Sequence, residues 1–120
     1  MPFMKYIFLL VFFCFMFAGC GNPQGFLEAV GDGNLKGVKS GLSSGVNINS
    51  QDSKNGYTAL HLAASNDYKA IVKLLIESGA EVNKLNTRNQ TPLDLSDTES
   101  TDRFLRKHGG KTAAELKASK

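Results

Sequence analysis

Gly56-Tyr57-Thr58-Ala59-Leu60-His61-Leu62-Ala63-Ala64, followed after a short break by Ile71-Val72-Lys73-Leu74-Leu75-Ile76-Glu77-Ser78-Gly79-Ala80-Glu81-Val82-Asn83, decides the architecture of this 120-residue chain. Thr58 precedes an apolar helical pattern, so its hydroxyl can accept a backbone N–H of the first turn, and His61 stands three residues on, where a capping box places the reciprocal partner. Leu60, Ala63 and Ala64 share one helix face at i, i+3, i+4, and the two alanines let a neighbouring helix come close. Ile71, Val72, Leu74, Leu75 and Ile76 supply that neighbour. Gly79 suits a left-handed cap just past it, after which Val82 points inward and Asn83 begins a turn. The unit predicted is helix, turn, helix and projecting loop, an all-α arrangement.

The unit recurs. Thr58 and Leu60 are echoed 33 residues later by Thr91 and Leu93, and Gly45-Val46-Asn47-Ile48-Asn49 is echoed 34 residues later by Gly79-Ala80-Glu81-Val82-Asn83, which places one extra residue in the loop after Asn49. Thr91 repeats the capping role with Pro92 at the first helical position, where its missing N–H costs nothing, and Asp94 can return the cap to Thr91. Along its whole length the central unit closely resembles an ankyrin repeat. The resemblance spans roughly residues 25 to 110 and implies a stack of two to three repeats. Phe26 to Asn49 forms a first unit that matches at Ala29, Gly33, Val38, Gly45, Ile48 and Asn49 but lacks the Thr-Pro-Leu-His opening. The third unit opens on Thr91-Pro92-Leu93-Asp94-Leu95 and ends at His108-Gly109, three residues short. Such degraded ends are expected of capping units.

Two features of the repeats predict local weakness. Gly37 and Gly41 fall around Val38 in the second helix of the first unit, and each helix-interior Gly costs about 0.5 to 1 kcal/mol relative to Ala, so this end is expected to fray first. A close-packing groove for a partner is the alternative use of that spacing. Asp67 takes the turn position held by Gly33 in the first unit, where ankyrin repeats normally have Gly, and Tyr68 takes the usual His position.

The N-terminus has a different composition. Six of the eight Phe lie before residue 18, and Tyr6 to Phe17 is an unbroken apolar run of 12 residues behind a single charge at Lys5. That length fits the core of an export signal, about 7 to 15 residues, and falls short of the about 20 needed to span a bilayer. The run closes on Phe17-Ala18-Gly19-Cys20 and resembles a bacterial lipoprotein signal, although that family most often has Leu where Phe17 stands. The resemblance implies cleavage before Cys20, a diacylglyceryl group on its sulfur and an acyl chain such as palmitate on the new amino group. Ordinary secretion with a plain thiol at Cys20 and an uncleaved N-terminal anchor are the alternatives. Removal of the leader takes away Cys14 and leaves Cys20 without a partner for an internal disulfide. On this reading residues 1–19 are a signal peptide, 20–25 the lipidated Cys and a tether of at most about 20 Å, 26–110 the repeat domain, and 111–120 a tail that docks as a short capping helix or stays frayed. The chain is expected to be exported and lipid-anchored to a bacterial envelope, on the periplasmic side or the surface.

From Cys20 onward thirteen basic residues face eleven acidic ones, interspersed, which speaks against nucleic acid as a partner. No phosphate loop, Cys pair, His-Glu-x-x-His spacing or nucleophile elbow occurs. His61 is accounted for by the cap, and His108 by the end of a helix, where its charge suits the dipole. No catalytic residue, metal, cofactor or small-molecule substrate is therefore expected. The resemblance implies protein binding through loop tips and first-helix surfaces, which places Lys54, Asn55, Tyr57, Ser65 and Asn66 of the central unit and Thr87, Arg88 and Gln90 of the third at the candidate surface. Tyr57 and Arg88 are the residue types most enriched at binding hot spots. Each also has a plain alternative, Tyr57 as cover for the neighbouring loop and Arg88 as a solvated charge, and Leu85 is either an exposed apolar contact or packing for the third unit. The function expected is a non-catalytic interaction module for an unidentified envelope protein, with a neutraliser of a toxin or enzyme, or a spacer without specific ligand, as alternatives.

Overall fold

The computed structural model describes residues 22–119, and the leader, Cys20, Gly21 and Lys120 lie outside the described residues. Seven helices follow one another among them: α1 (Pro23–Gly31), α2 (Leu35–Ser43), α3 (Ala59–Ser65), α4 (Lys69–Glu77), α5 (Pro92–Leu95), α6 (Glu99–Lys107) and α7 (Ala113–Ala118). There are no strands among the described residues. Three helix pairs stack in sequence order. First helices α1, α3 and α5 form one row, second helices α2 and α4 pack alongside, and long loops (residues 44–58 and 78–91) join successive pairs.

The caps behave as the sequence predicts. Thr58 Oγ1 accepts from His61 N–H, and Thr91 Oγ1 from Asp94 N–H; each third residue returns a bond to the cap's own N–H, completing two capping boxes. α1 starts without Thr. Asn22 caps it through its side chain, accepting from Gly25 N–H, and Pro23 fills the first helical turn. Pro23, Gln24 and Gly25, expected in an extended tether, are consequently helical, and the folded domain begins three residues earlier than the repeat pattern suggests.

The core is one continuous layer between the two rows. Ala63 and Ala64 are fully buried beside Leu60, Ile71, Val72 and Leu75, with Val30 and Val38 closing the first unit and Leu93 and Leu105 the third. Ala side chains at the centre let α3 contact α1, α4 and α5 at once. Gly41 works in the same way: a Cβ there would lie 2.7 Å from Phe26 Cδ2, and one at Gly37 would lie 2.9 Å from Ala29 Cβ. These glycines admit α1 against α2. The spacing serves an intramolecular contact, and the helix-propensity cost is offset by burial of Phe26.

The turns between paired helices are braced across units. Asp67 adopts a left-handed φ of 57°. Its Oδ1 accepts from Thr98 Oγ1 at 2.7 Å and Thr101 Oγ1 at 2.6 Å, which ties the central turn to the start of α6 and holds the carboxyl below its ordinary range. Tyr68 leans the other way, donating its hydroxyl to Gly31 O and laying its ring over Gly33. The third unit takes up its missing residues in α5, four residues long against seven in α3.

After α6 the chain repeats the opening of a unit once more. Thr112 caps α7 by accepting from Glu115 N–H, Thr91 Oγ1 donates to Lys111 O at 2.7 Å, and Ala113 N–H donates to Asp94 Oδ2 at 3.0 Å. Arg106 adds a two-pronged ion pair to Glu115, at 3.0 and 3.3 Å, which lowers the glutamate's pKa and raises the guanidinium's. The tail is docked as half a unit.

Candidate functional site

The two long loops carry most of the residues expected at the binding surface, and their shape follows from one acidic or amide side chain in each. Asp52 Oδ1 accepts from the N–H groups of Asn55 and Tyr57, while Asp52 N–H donates to Tyr57 O. In the next loop Asn86 Oδ1 accepts from Arg88 and Gln90 N–H, and Asn86 N–H donates to Gln90 O. Such side-chain to backbone bonds shape tight turns. Gly56 and Asn89 stand 33 apart and both take the left-handed conformation, φ 68° and 58°. The span from Asp52 to Tyr57 is one residue longer than that from Asn86 to Gln90, so the extra residue lies at the tip of the first loop.

The loops are locked to each other. Asn55 O accepts from Thr87 N–H at 3.0 Å and from Thr87 Oγ1 at 2.9 Å, and Gln51 Nε2 donates to both Gly56 O and Leu85 O. At the loop bases, Asn49 Oδ1 accepts from Glu81 N–H, and Asn83 Oδ1 accepts from Lys111 N–H. Asn49 and Asn83 therefore do one job in successive units. The sequence pattern marked both positions through the repeated Gly-x-x-(Ile/Val)-Asn, without revealing that each Asn holds the following loop.

His61 completes the lock from below. Its Nε2 faces Gln90 O at 2.9 Å, a group that can only accept, and its Nδ1 faces Thr58 N–H at 3.1 Å, a group that can only donate. The ring is thus assigned neutral with its proton on Nε2. Burial pushes its pKa below the ordinary imidazole value. A buried histidine with both nitrogens engaged is a structural bracket between units.

The eight expected surface residues divide by what they already hold. Asn55 and Thr87 are joined backbone to side chain, Gln90 receives His61 and exchanges a side-chain bond with Asn86, and Ser65 Oγ donates to Leu62 O. Asn66 ends α3, donating its side-chain N–H to Leu62 O, and is exposed. Lys54 and Arg88 are exposed at the two tips with no carboxylate within ion-pair distance among the described residues. Tyr57 is half-buried and stacks on His61 with ring centres 5.8 Å apart and planes 14° apart. Leu85 is 41% exposed. His108 is exposed at the end of α6, with Nδ1 2.9 Å from Phe104 O and its ring against that of Phe104. Among the described residues no group of His, Cys, Asp or Glu is arranged to hold a metal, and no helix is long and apolar enough to cross a membrane.

The family description "Ankyrin repeats (3 copies)" matches residues 26–109, and the chain belongs to the ankyrin repeat proteins. Their repeats mediate protein–protein interaction. Among similar proteins, ankyrin repeat domain-containing protein 40 of Mus musculus is 36% identical over 69 residues, covering 58% of this chain and 19% of the relative. An ankyrin repeat-containing protein of Schizosaccharomyces pombe is 31% identical over 98 residues, covering 73% and 47%. Protein phosphatase 1 regulatory subunit 27 of Mus musculus is 39% identical over 75 residues, covering 62% and 48%. The chain spans less than half the length of each of these relatives.

Proposed function

We propose that this chain is a non-catalytic protein-binding module held at a bacterial envelope membrane by lipid on Cys20, and that it grips an envelope protein through Tyr57 and Arg88. The observation that carries the reading is the tip-to-tip bond between Asn55 O and Thr87, which holds two exposed loops in one arrangement before any partner arrives. Loops already ordered lose little conformational entropy on binding, and an aromatic stacked on His61 in one loop with an exposed guanidinium in the other supplies anchoring groups of the kind that dominate interfaces. A relative described as a regulatory subunit of protein phosphatase 1 supports action by binding, and favours an enzyme as the partner's class. The leader supports the anchor. With α1 starting at Pro23, only Gly21 and Asn22 separate Cys20 from the folded domain, so the stack would ride within about 10 Å of the lipid surface.

Two experiments test the halves of this reading. Replacing Tyr57 with a photocrosslinking residue in cells is expected to capture one envelope protein, with capture lost when Arg88→Glu is added; empty or promiscuous capture from a folded protein refutes the binding face. Cys20→Ala is expected to release the protein from the membrane fraction, and unchanged fractionation refutes the lipid anchor.

A further inference from the structure

Beyond the loop tips, the far end of the stack holds an unfilled groove. Leu85, Asn89, Ala113, Ala114, Leu116 and Lys117 line a volume of about 450 Å³ between the second loop and α7. Leu85 is the large apolar side chain most open to solvent among the described residues. α7 repeats the opening of a unit, and where α3 buries Leu60, Ala63 and Ala64 under its neighbours, α7 buries none of its side chains. Exposed apolar surface with polar edges marks an interaction site more often than a bare surface does.

Charge identifies what fits. Lys117, which is exposed, is the one charged residue among those lining the groove. No lining residue is acidic. On α7 itself Glu115 is engaged by Arg106, and Asp94, bonded to the start of that helix, accepts from Thr91 N–H and Ala113 N–H. A second copy seated face to face on the same groove would set Lys117 against its own equivalent. An apolar floor edged by a lysine and by no carboxylate complements a helix with leucines on one face and carboxylates beside them.

We propose that the groove between Leu85 and α7 docks an acidic amphipathic helix of a partner protein. The proposal rests on the reading of the chain as a protein-binding module, and adds a contact on the end of the stack that does not involve Tyr57. The test uses the full chain in zwitterionic lipid nanodiscs with ¹³C-methyl leucine, titrated with two designed helical peptides that share a leucine face and differ in carrying Glu or Lys beside it. Empty nanodiscs correct for lipid binding. The Glu peptide is expected to shift the Leu85 and Leu116 methyl resonances. Its affinity should fall about tenfold in Leu85→Gln and in Lys117→Glu, and the Lys peptide should gain on the latter. Both side chains are outside the core, and unchanged leucine resonances elsewhere verify the fold. Silent methyls, equal binding of the two peptides, Leu85→Gln without effect, or shifts that follow protein concentration alone would each overturn the proposal. Tyr57→Ala should leave the peptide titration unchanged, which keeps failure of this groove distinct from failure of the loop-tip surface.

Discussion

Substituting Gly41 by Ala sets two effects of opposite sign against each other, and the structure decides between them. A helix-interior Ala gains about 0.5 to 1 kcal/mol over Gly. At this position, however, the new methyl would sit 2.7 Å from Phe26 Cδ2 and 3.4 Å from its Cγ, against about 3.5 to 4.0 Å for a comfortable carbon contact. Phe26 is 3% exposed and enclosed by the first unit, so its ring has little room to withdraw. Overpacking of this kind costs about 1 to 3 kcal/mol. The net is a loss of about 1 kcal/mol, or a Tm lower by about 4 to 8 °C for a domain of this size. Gly31→Ala is the control: a methyl there would meet nothing within 4 Å, so only the propensity gain remains and Tm should hold or rise. Thermal melts of the full chain in detergent, followed by far-UV circular dichroism, read both. If Gly41→Ala stabilises as much as Gly31→Ala, the glycine is merely a weak helix former and close approach of Phe26 does not govern the position.

Two further outcomes follow from the inter-unit brackets. His61 has a folded-state pKa depressed below its unfolded value of 6.5, so the unfolded chain binds a proton that the folded one refuses; its contribution is full above about pH 6.5 and is lost as pH falls from there through the folded pKa. Urea midpoints should drop across that window, and His61→Gln should start lower and lose the slope; a slope unchanged in the variant contradicts the neutral bracket. Asp67→Gly suits the left-handed backbone and removes the acceptor for Thr98 and Thr101, so it should speed amide exchange at the start of α6. Exchange unaltered there would mean the turn is not a bracket.

Residues in repeating positions were the most legible. Thr58, Thr91 and the Ala63–Ala64 pair disclosed helix starts and the close core because capping and packing are local and periodic, and Gly79 marked its left-handed cap for the same reason. The first unit was harder. Asn22 and Pro23 start α1 by a different cap from the other first helices, and Gly37 and Gly41 read as weakness because their use depends on where Phe26 and Ala29 arrive from another helix. The surface showed the same division. Loop tips could be placed by register, but the engagement of Asn55, Thr87 and Gln90 within the loops, and the groove beside Leu85, depend on contacts between units roughly 30 residues apart, for which the sequence carries no local signal.

The central claim, that the locked loop tips are the working face, is tested most directly by photocrosslinking in cells from two opposed positions of the full chain. Lys54 lies exposed at the first tip, and Lys73 lies exposed on α4 in the row of second helices. The account predicts that position 54 captures the protein captured from position 57 and that position 73 captures nothing specific. Specific capture from position 73 with none from position 54 would contradict it.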